Sequence, residues 1–420
     1  MSENRAAADC FDVAIVGGGM VGAALGVALA PLDLRIALIE SIPHASAAQP
    51  SFDERTTALS NGSRRILETL SVWQEVSSVA TPIRKIHVSD QGHFGFARID
   101  AAEQGLAAMG YVVPNRALGN AFWPRLLQIP GLQAFCPAQV GEISTGQDAV
   151  TLTVVEAAAE NNSAAQHKIA AKLIVAADGV HSVVRSAFGV EAQTRDYEQT
   201  AIITTVLPQR FHDHVAYERF TPNGPLALLP LENGRCALVL TLAPALAQAA
   251  MAWSDQEFLA EVQRRFGFRL GRFLKVGRRV PYPLSISRAA RTSSGRCVII
   301  GNAAQGLHPV AGMGFNLGLR DVASLAELIA ERIGQEDSDP GSPQLLAQYD
   351  AWRAADRGGV ITFTDGLVRL FANPLRGVQR LRNLGLLAFD LLPPAKAALS
   401  RLSTGANGRV PKLARGVPLR

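Results

Sequence analysis

Residues 11–22 read FDVAIVGGGMVG, an apolar run that meets three consecutive glycines and then small side chains. Few folds accept such a string. Residues 12–16 (DVAIV) have the continuous apolar character of a strand buried on both faces. Residues 20–30 (MVGAALGVALA) form a small-residue helix, and 34–39 (LRIALI) a second buried strand ending at Glu40. Within this unit the glycines have separate duties. Gly17 permits the tight turn, Gly19 lets a pyrophosphate approach the backbone, and Gly22 lets helix and strand pack closely. The helix N-terminus offers unpaired N–H groups and a partial positive charge to phosphates. Glu40 stands where an acid holds the adenosine ribose hydroxyls. The unit predicts a dinucleotide site in an α/β domain, without choosing between FAD and NAD.

A chain of 420 residues is long for one core, so two joined domains are expected. With 48% hydrophobic and 18% charged residues it has an ordinary globular composition. Its apolar runs break before reaching the length of a membrane span. The N-terminal MSENRAAADC lacks the apolar core of a signal peptide. A cytoplasmic protein is the expectation. Cys10, Cys136, Cys236 and Cys297 show no CxxC spacing, which argues against a zinc site or a disulfide scaffold. The histidines are dispersed apart from His212 and His214, so no metal site is expected.

Further along, residues 61–80 carry helical periodicity through Ile66, Leu67, Leu70 and Trp73. Residues 83–99 alternate and suggest a hairpin turning at Asp90–Gly92. A helix is expected over 117–129, strands within 132–156 and 167–176, strands near 200–207, 226–231 and 236–242, and a helix over 254–266. Residues 296–333 read as strand, glycine-rich loop and long helix.

Two distant segments, VAADGVHSVVR (175–185) and GNAAQGLHPVAGMGFNLGLRD (301–321), join the first motif in resembling the aromatic-ring hydroxylases, single-component FAD-dependent monooxygenases. DERTTALSNGSRRILETLSVWQ (53–74), IHVSDQGHFGFARI (86–99) and ERFTPNGPLALLPLENGRC (218–236) resemble the ubiquinone-biosynthesis members of that family. The likeness runs from residue 11 to about residue 360. It implies an α/β fold: an FAD-binding Rossmann-like domain assembled from 1–80, 105–187 and 283–345. An interleaved β-sheet substrate domain comes from 81–104 and 188–282, followed by a C-terminal helical basic tail, 346–420.

The resemblance also implies which residues hold FAD. Besides Gly17, Gly19, Gly22 and Glu40 they are Arg55, Arg116, Asp178, Gly179, Gly301, Asn302, Pro309, Gly312, Gly314 and Asn316. Gly312 and Gly314 open a helix whose positive end suits the flavin edge that gains negative charge on reduction. An arginine at 55 suits a phosphate or the ring edge. Two positions depart from the wider family: Asn302 replaces an aspartate that accepts from a ribityl hydroxyl, and Gln305 replaces a histidine found in many relatives.

The implied reaction is hydroxylation of a polyprenylated methoxyphenol through a flavin C4a-hydroperoxide, with O2 as co-substrate, in ubiquinone biosynthesis. NAD(P)H is the implied donor, but no second GxGxxG marks a site for it. No catalytic base is assigned. His308 is a candidate, Tyr217 in the substrate segment reads rather as core or surface packing, and His212 and His214 read as a solvated pair. Alternatives are another ring position or lipid phenol, a flavin reductase or dehydrogenase that never activates O2, and a non-catalytic component of a biosynthetic complex.

The tail adds a partner question. Residues 366–420 hold ten Lys/Arg against the single acid Asp390, within a chain of net charge +5. Phe363, Leu367, Leu370 and Phe371 form one apolar stripe, and Leu375, Val378 and Leu381 another. Residues 360–400 thus have the pattern of an interfacial helix on the inner face of the cell membrane, or of a contact with other ubiquinone-biosynthesis proteins. A helix packing back on the body is the competing expectation. No aromatic-interleaved basic platform for nucleic acid is visible.

Overall fold

The structure is a computed structural model that describes residues 9–46, 48–53, 55–157, 165–307, 312–333, 338–372, 375–392, 394–396, 398 and 409–419. The opening motif folds as read: strand Asp9–Val16, helix Met20–Leu29, strand Ile36–Ile39. These belong to an eight-stranded sheet with a parallel centre. Its order is Ser293–Ser294, Cys297–Ile299, Gln166–Ala176, Asp9–Val16, Ile36–Ile39, Leu132–Phe135; Val150–Glu156 and Ala138–Thr145 branch off antiparallel. Strands buried on both faces need apolar residues throughout. Val13 and Ile15 accordingly meet Leu25, Phe122 and Leu319 from helices Met20–Leu29, Asn115–Leu126 and Met313–Ile333, whereas Ala14 and Val16 face a second core.

A nine-stranded sheet forms the second layer. Its order is Gln305–Gly306, Val280–Ala289, Ala192–Pro208, Cys236–Leu242, Gly224–Pro230, Val215–Thr221, Lys85–Asp90, Phe96–Asp100, with Phe273–Val276 on Ala192–Pro208. Its back face packs Tyr217, Leu226, Leu228, Leu238 and Leu240 against Phe258, Val262 and Phe266. These last lie on helix Asp255–Phe266, which opens with a Ser254/Glu257 capping box. A three-stranded sheet, Thr56–Ser60, Gly110–Pro114 and Thr81–Ile83, joins the layers.

Helices Pro343–Ala372 and Arg376–Leu391 follow. The second lies on strand Phe96–Asp100 and roofs the front face of the nine-stranded sheet. Residues 409–419 return to the first layer, where Leu413 is buried and Arg409 pairs with Glu327 at 2.8 Å. Among the described residues no helix is long and apolar enough to cross a membrane.

Three local expectations need correction. The periodic segment 61–80 breaks after Asn61–Thr69 because Ser71 turns into the left-handed region at φ 59°. Strands Val215–Thr221 and Val280–Ala289 escaped notice, since charges in one and prolines in the other blur the alternation. His212 is not solvated: it is 1% exposed and its Nε2 lies 2.8 Å from the Leu231 carbonyl oxygen.

Candidate active site

One cavity of about 1590 Å³ runs between the two layers. A pocket for one drug-sized ligand is about 300–1,000 Å³, so this one has room for a cofactor and a second molecule. Its first end is the dinucleotide cradle. Gly17 sits at φ 102°, and a Cβ there would lie 2.5 Å from the Ala177 carbonyl oxygen. A Cβ at Gly22 would lie 1.9 Å from the Gly17 carbonyl oxygen, so Gly22 serves helix–turn packing. Gly19 differs: a Cβ there meets only the Ser51 side chain, at 2.6 Å from Oγ, on the cavity side.

Glu40 closes the cradle. Its Oε2 accepts the Gly18 N–H at 2.6 Å and its Oε1 accepts the Ile42 N–H at 2.8 Å. A carboxylate has about four acceptor sites, so it retains capacity for ribose hydroxyls. Opposite stands Asp178. Its Oδ2 accepts from the Val183 and Val184 N–H groups at 2.9 and 3.2 Å, while Oδ1 is buried with no partner among the described residues. Burial raises its pKa. An orphaned buried acceptor beside a phosphate cradle fits a ligand rich in hydroxyls and phosphates, as FAD is.

The wall also brings in Arg55, Gly179, Asn302, Gly312 and Gly314. Arg55 pairs with Asp53 at 2.6 Å and lies over the Tyr282 ring at 5.2 Å. Asn302 is exposed toward the cavity. Gly312 is at φ 59°, with Ala58 Cβ 3.1 Å from where its own Cβ would sit. Asn316 instead stands behind the wall. It donates to the Ala58 and Gly312 carbonyl oxygens at 2.8 and 2.6 Å and accepts the Ser60 N–H at 2.7 Å, fixing that turn. Gly301 packs against Val21, and Arg116 is exposed on the first turn of Asn115–Leu126, where Asn115 faces the cavity. His308 and Pro309 lie outside the described residues.

A buried network beneath the 301–306 loop was not foreseen. Asp321 Oδ2 accepts the Gly301 N–H at 3.1 Å and Gln305 Nε2 at 2.8 Å; its Oδ1 accepts Arg353 Nε at 2.8 Å. Arg357 Nε donates to Gln305 Oε1 at 2.6 Å. Gln305 thus uses both ends of its amide to hold the loop, the work of a neutral donor–acceptor rather than a proton carrier. Asp321 closes the glycine-rich segment in sequence, but nothing in Arg353 or Arg357 announced them.

The second end of the cavity is apolar. The sheet supplies Ile86, Val88, Ile99, Ala227, Leu229 and Val239, and the roof supplies Phe363, Leu367, Leu370, Phe371, Val378 and Phe389. Phe220 of the sheet stacks on Phe371 of the roof, 3.5 Å between centroids. The first stripe, Phe363, Leu367, Leu370 and Phe371, therefore lines the cavity, as in the competing expectation, whereas in the second Val378 lines it while Leu375 and Leu381 are 64% and 71% exposed. Tail cations are partly spent internally: Arg382 on Asp90, Lys396 on Asp390 and Arg409 on Glu327.

The FAD binding domain family model matches residues 10–364. "Ubiquinone hydroxylase UbiL" of Rhodospirillum rubrum is 38% identical over 97% of this chain and 93% of that protein. The "3-demethoxyubiquinol 3-hydroxylase" of Escherichia coli is 30% identical over 90% and 94%. The p-nitrophenol 4-monooxygenase PnpA of Pseudomonas putida DLL-E4 shares the fold, with a TM-score of 0.76 at 20% identity, over 96% of this chain and 99% of that one. The chain belongs to the FAD binding domain family, with hydroxylases and monooxygenases among its relatives.

Proposed function

We propose that the chain hydroxylates the ring of a polyprenylated methoxyphenol in ubiquinone biosynthesis, consuming O2 and two electrons from NAD(P)H. The observation that carries this reading is the continuity of the cavity: a dinucleotide cradle opens directly into a long apolar compartment. The relatives named as ubiquinone hydroxylases support the same substrate class. Hydroxylation at another ring position uses the same features.

In this reading the eight-stranded layer holds the cofactor and the nine-stranded sheet the substrate. Gly17 and Gly19 let the pyrophosphate approach, Glu40 takes the ribose, and Asp178 and Asn302 take the remaining hydroxyls. The helix N-terminus at Gly312–Gly314 faces the flavin edge. FAD, when bound, supplies O2 activation and delivers one oxygen atom to the ring. The protein's part is to fix the ring, admit the prenyl chain between sheet and roof, and exclude water with an apolar wall.

The outer surface of the roof suggests how so insoluble a substrate arrives. Leu381, Leu384 and Leu391 are 71%, 57% and 79% exposed on helix Arg376–Leu391, and Leu381 also lines the cavity. We infer that this surface rests on the inner face of an anionic membrane, with the cavity mouth toward the lipid.

The test is turnover of purified yellow protein with NAD(P)H, O2 and a short-chain prenylated methoxyphenol. A product heavier by one oxygen atom is expected. Donor oxidation that yields only peroxide with every such phenol would overturn the reading.

A further inference from the structure

We propose that Glu218 accepts the phenolic proton of the substrate ring during hydroxylation; this rests on the hydroxylase reading above. Strand Val215–Thr221 presents Ala216, Glu218 and Phe220 to the cavity and turns Tyr217 into the opposite core. The strand partners directly beside Glu218 are Val88 and Ala227. Its cavity-facing neighbours on those strands, Ile86 and Leu229, are also apolar. Asp90, the residue after Val88 on this face of its strand, is already paired with Arg382 of the roof, so the Glu218 carboxyl among its apolar neighbours loses hydration with nothing in return. No hydrogen bond or ion pair of its side chain exists among the described residues.

Its place along the strand gives the carboxyl a use. Ala216, one step away, belongs to the cluster that touches Ala58, the residue against which Gly312 turns. Phe220, one step the other way, stacks on Phe371 of the roof. At about 3.3 Å per strand residue, Glu218 stands about 7 Å from each. It therefore lies between the flavin-facing turn and the compartment that takes the prenyl chain. A phenol whose chain runs under the roof and whose ring points to the Gly312 turn has its hydroxyl at this position.

The proton balance is simple. The O–H bond breaks, its electron pair remains on oxygen, and Glu218 passes from carboxylate to acid. The electron-rich ring carbon takes the delivered oxygen atom. The proton on that carbon leaves to the second oxygen atom of O2, which departs as water; aromaticity is restored, and Glu218 returns its own proton to the phenolate. Burial pushes the Glu218 carboxyl up to about 7, a fitting value for a base working near neutrality.

Other charges are engaged elsewhere. Arg219 and His87 face the opposite side of the sheet, with Arg219 on the Arg265 carbonyl oxygen and His87 against Arg269. The ionisable group the described roof presents is Arg382, paired with Asp90. Arg55, Glu40, Asp178 and His181 line the cradle end, and Tyr282 lies beside Arg55.

The experiment compares FAD-loaded wild type, Glu218→Gln and Glu218→Asp on a methoxyphenol carrying one isoprene unit. FAD content comes from the visible spectrum. Phenol affinity comes from perturbation of that spectrum in the oxidised protein, without turnover. Product formation is followed across neutral pH. FAD content and phenol affinity should stay within about twofold in Glu218→Gln. Product formation should fall about 10²–10³-fold, and the wild-type rise in rate through neutral pH should vanish. Glu218→Asp should restore part of the rate and a rising limb. A Glu218→Gln protein with wild-type rate and pH profile would overturn the proposal alone. So would loss of FAD or of fold in that variant, because the residue would then be structural. Wild type that forms no hydroxylated phenol would overturn the underlying reading as well.

Discussion

The Gly95 N–H donates to Asn383 Oδ1 at 2.9 Å, and the roof helix lies so close that a Cβ at 95 would sit 2.8 Å from Asn383 Cα. The segment HVSDQGHFG (87–95) is therefore the seat of a helix almost 300 residues further along, as the 288-residue separation of this bond records. Asp90 adds Arg382 and Asn383 Nδ2 to the same joint, and Arg382 Nη1 also caps the preceding helix through the Phe371 carbonyl oxygen at 3.0 Å. Gly95→Ala should displace the roof and leave the cradle untouched. The expected result is normal FAD content, faster proteolysis around 373–392, a higher KM for the lipid phenol, and a stability loss of about 1–3 kcal/mol. Unaltered proteolysis would mean that the roof is not held here.

The glycines of the cradle separate fold from ligand. A methyl at Gly22 meets a backbone carbonyl oxygen at 1.9 Å, whereas one at Gly19 meets a serine hydroxyl that can rotate away. Gly22→Ala should lose several kcal/mol of stability and express poorly. Gly19→Ala should melt as apoprotein within about 1 °C of wild type and yet purify colourless. Retained FAD in Gly19→Ala would show that the pyrophosphate does not approach there.

What could be read from sequence follows how local each determinant is. The 17–22 turn, Glu40 and the hairpin at 85–100 are made by residues a few positions apart, and their patterns survive in one dimension. Asp321 gathers Gly301, Gln305 and Arg353 by packing, so the reason for Gln305 appears only in three dimensions. Glu218 misleads for another reason. A charge at an alternating strand position normally marks the solvent side, but here that side is covered by helices beginning at Pro343. The tail is legible only in part: amphipathicity reports that a face is buried, not whether protein or lipid buries it.

Asp321→Asn should weaken FAD binding without touching any cavity-lining residue. Asp321 and Arg353 are 0% and 2% exposed in side chain. Removing one partner of such a pair leaves a buried charge, at about 3–5 kcal/mol. Arg353 keeps Asp356 at 2.6 Å, which points to the low end of that range. The loop at 301–306 loses its anchor, so FAD should be lost on gel filtration at concentrations where wild type keeps it. Equal retention would remove Asp321 from any role in shaping the site.

Replacing Leu384 and Leu391 together by Ser tests the outer face of the roof, since neither lies against the sheet and both are exposed. Burying two leucines is worth roughly 3 kcal/mol or more in full and less at an interface. Cosedimentation with anionic liposomes should fall about tenfold or more, with FAD content and turnover of a one-isoprene phenol unchanged. Equal cosedimentation would overturn the membrane reading of this face.

Glu218 should also be visible in stability, independently of catalysis. Its carboxyl is raised from 4.5 to about 7 by burial. Below the lower value it is protonated in both folded and unfolded chains and contributes nothing. As pH rises past 4.5 the unfolded chain releases the proton while the folded one holds it. Stability therefore falls until the folded group also ionises near 7, and stays lowered above that. At about 1.4 kcal/mol per unit, the loss is at most about 3–4 kcal/mol. Glu218→Gln carries no such penalty. In urea titrations it should match wild type at acid pH and exceed it at mildly alkaline pH, so the less active protein is the more stable one. Parallel behaviour of the two proteins across that range would mean that the carboxyl is hydrated in the cavity and titrates as an ordinary glutamate.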